Sequence, residues 1–171
     1  MQGYDHRVHA GNAGDVWKHF LLLEAASCLL IPGGSAVYAE SHVGRPEYKL
    51  RAPGEWEGGI GRIWPILHSL RDFLYFSLLY DLNPSGPRRY PGSACLVLRA
   101  ALRIGSRVNA QIWDIDHEVG LAWRRISVAS FHSGDGLSGA ASLLGSHPPG
   151  LLLIDPPDLS QAEAERAQDL I

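Results

Sequence analysis

The chain reads Gly150-Leu151-Leu152-Leu153-Ile154-Asp155-Pro156-Pro157 close to residue 171, an unbroken apolar run closed by a carboxylate and two prolines. The run shows no polar alternation, so it predicts a strand covered on both faces, as in a parallel sheet. Prolines cannot donate to a ladder, so the strand must stop there. Asp155 then stands at the carboxyl end of a strand, where open α/β sheets bind their ligands. The proline turn also holds carbonyls with no local donor. A carboxylate beside free carbonyls, that of Pro156 among them, can accept both hydrogens of an exocyclic amino group. The same segment also reads as a strand-ending turn with a surface Asp.

Other strand ends carry polar residues too. The first predicted strand ends in Glu40, Ser41 and His42, the second in Asp114 and Asp116, and the third just before Asp135-Gly136. In a doubly wound sheet such ends converge on one crevice. An acid closing the second strand can accept both hydroxyls of a ribose, and Asp135 can receive an adenine amino group. These are the demands of an adenosyl cofactor. Wet loops after strands give the alternative account of any one of these acids. A further cluster runs from Tyr4 to His19, where three histidines and Lys18 crowd a helix start. Its spacing matches no common zinc site and no cysteine pair is near, so no metal is expected. A phosphate or carboxylate pocket suits a cationic helix N-terminus better. A capped helix with polar surface residues is the plainer account.

The elements that must position these groups follow from the same rows. Residues 1–11 form a polar arm. A helix follows, with Asn12 as its cap, Asp15 in its first turn, and Val16, Phe20 and Leu23 on its apolar face. Pro32-Gly33-Gly34 stops it. Strands are expected at Ser35–Glu40, Val108–Asp114, Val128–Phe131 and Gly150–Asp155. Helices are expected at Ser93–Arg103, around Val119–Ile126, at Leu137–Leu144 and at Leu159–Ile171. Strands separated by helices imply a parallel sheet with right-handed crossovers. Residues 51–90 break that rhythm and read as a helical insertion, with 84–91 as a turn-rich connector.

Composition bounds the rest. At 171 residues, 46% hydrophobic and 19% charged, the chain suits one soluble domain with a sizeable core. A net charge of -3 argues against sequence-independent grip on duplex DNA, although a local basic patch can still serve nucleic acid. Cys28 and Cys95 lie in apolar helical stretches and read as buried thiols, not as a disulfide framework. With no hydrophobic signal core and no apolar run that spans a bilayer, a cytoplasmic protein is expected.

The segment Tyr4–His19 resembles the N-terminal signature of the RlmJ-type methyltransferases. The resemblance continues through Tyr38–Leu50, Arg89-Tyr90-Pro91-Gly92-Ser93, Asp135-Gly136 and Leu152 to Pro157, and is weakest over 51–82. It implies a Rossmann-like class I methyltransferase sheet, mostly parallel with helices on both faces, in a single partial domain over 1–171. It also implies transfer of a methyl group from S-adenosylmethionine to the N6 amino group of an adenine in large-subunit (23S) ribosomal RNA, as protein-free or early precursor RNA. On the same basis His19, His42, Ser93, Asp114, Asp135 and Gly136 would line the cofactor site. Asp155 would be the catalytic acceptor, with Pro156, Tyr4 and Lys18 toward the substrate. Arg88 and Arg89 are candidate phosphate contacts.

The chain departs from that pattern. Asp158 stands where the family has an aromatic residue, Arg45-Pro46 follows Gly44 in the glycine turn, Glu40 replaces Asp, and Asp114 replaces Glu. Family members continue with three more strands, so the chain reads as the N-terminal part of a longer protein. Its last strand would then form an apolar edge, covered by a dimer partner or by the missing segment. An inactive adenosyl-ligand or nucleic-acid-binding module derived from the family is the alternative.

Overall fold

Asn12 does what its type and position dictate. Its side-chain oxygen accepts from the Asp15 amide at 2.9 Å, and the Asp15 carboxylate accepts from the Gly11 amide at 2.9 Å. This reciprocal cap starts α1 (Ala13–Leu29). The computed structural model that shows it describes residues 9–157 and 160–170. Tyr4 and Asp158 lie outside the described residues, as do Leu159 and Ile171 of the expected closing helix. The chain divides into two units, Met1–Cys28 with Pro46–Ala100, and Leu29–Arg45 with Ala101–Ile171.

The second unit holds the sheet. Its strands are β1 (Ser35–Glu40), β4 (Arg107–Asp114), β5 (Ala129–Ser133) and β6 (Leu151–Leu153), and every pairing among them is parallel. The order β5-β4-β1-β6 places a topological switch point between β1 and β6. The helices α5 (His117–Trp123) and α6 (Gly136–Ser146) connect successive strands, and α7 (Gln161–Gln168) follows β6. The architecture is the expected mostly parallel α/β sheet flanked by helices, of the Rossmann-like methyltransferase type.

Packing explains the sequence of this unit. Ala39, Ala110 and Ile112 on the central strands are fully buried beside Trp123 and Leu137. The Trp123 indole N–H donates to the Gly44 carbonyl at 2.8 Å. An added methyl at Gly139 would overlap the Trp113 indole, so α6 lies close on β4 because that position is glycine. β6 is shorter than the expected Gly150–Asp155, and its residues are half-buried instead of covered on both faces. Among the described residues it has a neighbour on one side only, and its ladder with β1 ends at Glu40 opposite Leu153. Ile154 and Asp155 therefore belong to the turn.

The first unit contains α1, α2 (Ile60–Ile63), α3 (Leu74–Leu82) and the start of α4 (Ser93–Ile104), with 3-10 turns at Glu55–Glu57 and Trp64–Leu70. The buried side chains of α1 are Val16, His19, Leu22, Leu23 and Ala26, so His19, not Phe20, belongs to the inward stripe. The expected connector at 84–91 instead supplies β3 (Arg89–Pro91), antiparallel to β2 (Glu47–Lys49). Its organiser is the buried Asn83. The Asn83 amide donates to the Leu79 and Arg89 carbonyls at 3.1 and 2.9 Å, and its oxygen accepts from the Arg88 and Arg89 amides at 3.0 and 2.8 Å. Cys28 is exposed and Cys95 half-buried, which corrects the reading of both as buried thiols.

Candidate active site

Four adjacent strands deliver polar groups to the carboxyl edge of the sheet in the second unit. Backbone bonds tie these ends into one surface. The Ser41 amide donates to the Leu153 carbonyl at 3.1 Å, Val43 to Trp113 at 3.0 Å, and Gly134 to Asp114 at 3.1 Å. At Gly136 a methyl would overlap the Ser41 carbonyl, so the start of α6 sits directly against the end of β1. His42, Asp114, Asp135, Gly136, Asp155 and Pro156 thus follow or close the ends of neighbouring strands.

Each group has a defined setting. Gly44 has φ +60, a conformation that side-chain-bearing residues rarely adopt, and its amide donates to Asp114 Oδ2 at 3.0 Å. Asp114 Oδ1 accepts from the Asp116 amide at 2.8 Å, and Asp116 caps α5 through the Glu118 amide at 2.7 Å. Each Asp114 oxygen accepts one backbone N–H and keeps a further lone pair for a hydroxyl pair. Ser41 Oγ and His42 Nδ1 lie 2.8 Å apart. Arg45 reaches Glu118 at 3.9 Å.

Asp135 is more engaged than its sequence context suggested. Its Oδ1 accepts from the Ser138 amide at 2.7 Å, capping α6, and from Arg166 Nη2 of α7 at 2.6 Å. The guanidinium, then the amide, holds the carboxyl well below the usual carboxylate range. Both bonds fall on Oδ1, and the Ser138 hydroxyl adds to the same lowering. The site therefore fits an adenosyl group: a paired acceptor at Asp114, a carboxylate at Asp135 whose amide and guanidinium bonds fall on one oxygen, and a glycine turn at Gly44.

Asp155 is half-buried, two residues past the last ladder pair and beside the switch point. Tyr38, which the sequence reading did not single out, lies close enough to feel its charge. The Tyr38 phenol donates to Glu40 Oε2 at 2.6 Å, and both residues are almost wholly buried. Burial first, then the charge of Glu40 and its hydrogen bond, and last the charge of Asp155 raise the phenol well above its ordinary value. The sequence signal for this pair is its spacing, since residues two apart on a strand share a face. Arg166 had no such signal, lying 31 positions from its partner.

The remaining implied residues lie in the first unit. His19 is buried and stacks on Tyr90, with its Nδ1 3.0 Å from the Tyr90 hydroxyl. Tyr90 in turn bonds Tyr75 at 2.8 Å. Lys18 pairs with Asp15 at 3.1 Å, and Ser93 is the buried first residue of α4. Arg88 and Arg89 are exposed, Arg89 lying 3.8 Å from Glu47. Among the described residues no cluster of three His, Cys, Asp or Glu could hold a metal, and no helix is long and apolar enough to cross a membrane.

Strand order, glycine turn and strand-end acids together define a Rossmann-like methyltransferase fold. No protein-family model matches the chain. It is 32% identical over 114 residues to "Ribosomal RNA large subunit methyltransferase J" of Haemophilus influenzae, covering 63% of this chain and 41% of that protein. It is 29% identical over 174 residues to the protein of the same name in Escherichia coli K12, covering 92% and 59%. A crystal structure of protein LPL1258 from Legionella pneumophila, of family-model DUF519, superposes with a TM-score of 0.77 at 26% identity, covering 95% of this chain and 63% of that one. These matches agree with the resemblance to the RlmJ-type methyltransferases read from the sequence. The chain spans 41% and 59% of the length of the two curated relatives.

Proposed function

We propose that this chain carries the cofactor half and the acceptor carboxylate of an S-adenosylmethionine-dependent enzyme that methylates the N6 amino group of an adenine in large-subunit ribosomal RNA. One observation carries the reading. Asp155-Pro156-Pro157 follows β6 at the switch point, beside the end of β1, in a chain whose relatives are named as ribosomal RNA methyltransferases. When bound, S-adenosylmethionine supplies an electrophilic methyl group. Asp114 would accept the ribose hydroxyls and Asp135 the adenine amino group, while Gly44, His42 and Gly136 would shape the pocket wall. Asp155 and the Pro156 carbonyl would accept hydrogen bonds from the two hydrogens of the target amine and so orient it, which is catalysis by positioning. The target base must leave any stack to reach them.

For His19, Ser93, Lys18 and Tyr4 the proposed roles rest on the resemblance alone. So do precursor ribosomal RNA as the form bound, residence in the cytoplasm, and residues 51–90 as an insertion in one domain. A second reading, an adenosyl-ligand or nucleic-acid-binding module without catalysis, is favoured by Pro46 in the glycine turn and by Asp158 where the family has an aromatic residue.

Calorimetry with S-adenosylmethionine and a tritium-transfer assay on unmodified 23S fragments test the proposal. The expected result is saturable cofactor binding and labelling, with Asp155→Ala abolishing labelling at unchanged cofactor affinity. Binding without transfer would select the second reading, and a folded chain that binds no cofactor would reject both.

A further inference from the structure

A cavity of about 490 Å³ opens in the first unit, and none of the residues given a functional role above lines it. Its wall is apolar, formed by Val16, Trp17, Phe20, Ile63 and Phe76, with Arg62 as its one charged residue. The volume is in the range of small-ligand pockets. Phe20 stacks on Phe76 with centroids 5.7 Å apart and meets Trp17 at 6.4 Å. The rings thus form one continuous aromatic floor. Trp17 is nonetheless 64% exposed, an unusual position for the largest apolar side chain in a helix whose other face is well packed. Among the described residues no carboxylate pairs with Arg62.

We infer that this pocket holds one unstacked base of single-stranded RNA, with the base face on Trp17 and the adjoining phosphate on Arg62. The inference rests on the proposed RNA substrate and adds a contact that this reading does not contain. An exposed flat ring beside a free cation is the combination that single-strand binders use, stacking for the base and charge for the backbone. The lining offers almost nothing polar to read a base edge, so the contact accepts any base. It holds the strand and performs no chemistry, since no carboxylate lines it.

The test is fluorescence anisotropy of the 171-residue chain with a labelled single-stranded RNA dodecamer and with an abasic ribose-phosphate oligomer of the same length, over a salt series. Trp17→Ala is expected to weaken RNA binding roughly five- to one-hundred-fold, the range of one lost base stack, and to leave the abasic oligomer unaffected. Trp17→Phe should recover most of the loss. Arg62→Gln should lower the slope of log affinity against log salt by about 0.7, the value for one phosphate on a single strand. Circular dichroism checks that each variant is folded. Wild-type affinity in both Trp17→Ala and Arg62→Gln would overturn the inference alone and leave the cavity to an apolar group of another kind. A wild-type chain that binds no RNA at any salt would overturn it together with the RNA reading.

Discussion

Tyr38 and Glu40 lie two residues apart on one face of β1, with their polar tips buried at the end that meets β6. Removing the phenol hydroxyl takes a donor from a buried carboxyl, and such bonds to charged groups are worth about 1.5–3 kcal/mol. Tyr38→Phe should therefore lower unfolding free energy by about that amount in urea melts with an unchanged m-value. A loss under about 0.5 kcal/mol would mean that another donor takes over. The cysteines offer a second check. Burial raises the Cys95 thiol above its ordinary value, so less of it is thiolate at pH 8, while Cys28 is exposed. Alkylation at pH 8 should label Cys28 first, with the Cys95 rate still rising as the pH is taken to 9.5; equal rates at pH 8 would contradict this. Residue positions were legible in the sequence where a periodicity or a strand end fixed them, as at Glu40, Asp114 and Asp155. They were not legible where the partner lies far along the chain. The face of Cys28 is set by α1 burying His19, a polar residue that no apolar stripe includes.

Among the elements, β1 matched the residues expected of it, β4 began one residue earlier, and β5 began one residue later and ended two residues later. Three-residue strands are another matter. β2 and β3 are too short to show alternation, and Pro84 to Pro91 carries every mark of a turn. The side chain of Asn83 makes β3 possible, because four hydrogen bonds to backbone groups fix the segment that leads into it. Asn83→Ala removes all four at a buried position, with an expected cost on the order of 3 kcal/mol. Hydrogen exchange gives the local signature. The Arg88 and Arg89 amides should lose protection in the variant, while the β1 and β4 amides change only with global stability. Unaltered protection at Arg88 and Arg89 would show that the pairing with β2 holds the segment without Asn83.

For the whole chain, the balance of sheet edges decides its behaviour in solution. Among the described residues the order β5-β4-β1-β6 gives β6 one hydrogen-bonded neighbour, and its residues Leu151–Leu153 carry no charge. An apolar edge without charge or proline in its ladder is a template for another strand. The sequence already contained this feature, because a run of leucines before two prolines implied a buried strand and the resemblance placed it last. What it could not contain was the length of the ladder, which β1 alone sets. We expect the 171-residue chain to self-associate through this edge as its concentration rises. The midpoint should move to higher concentration in Leu152→Lys, since a charge on the strand opposes edge pairing. Light scattering across a dilution series measures both. A wild-type chain that scatters as a monomer at every concentration would show that the outer edge of β6 recruits no second copy, and Leu152→Lys would then change stability without changing mass.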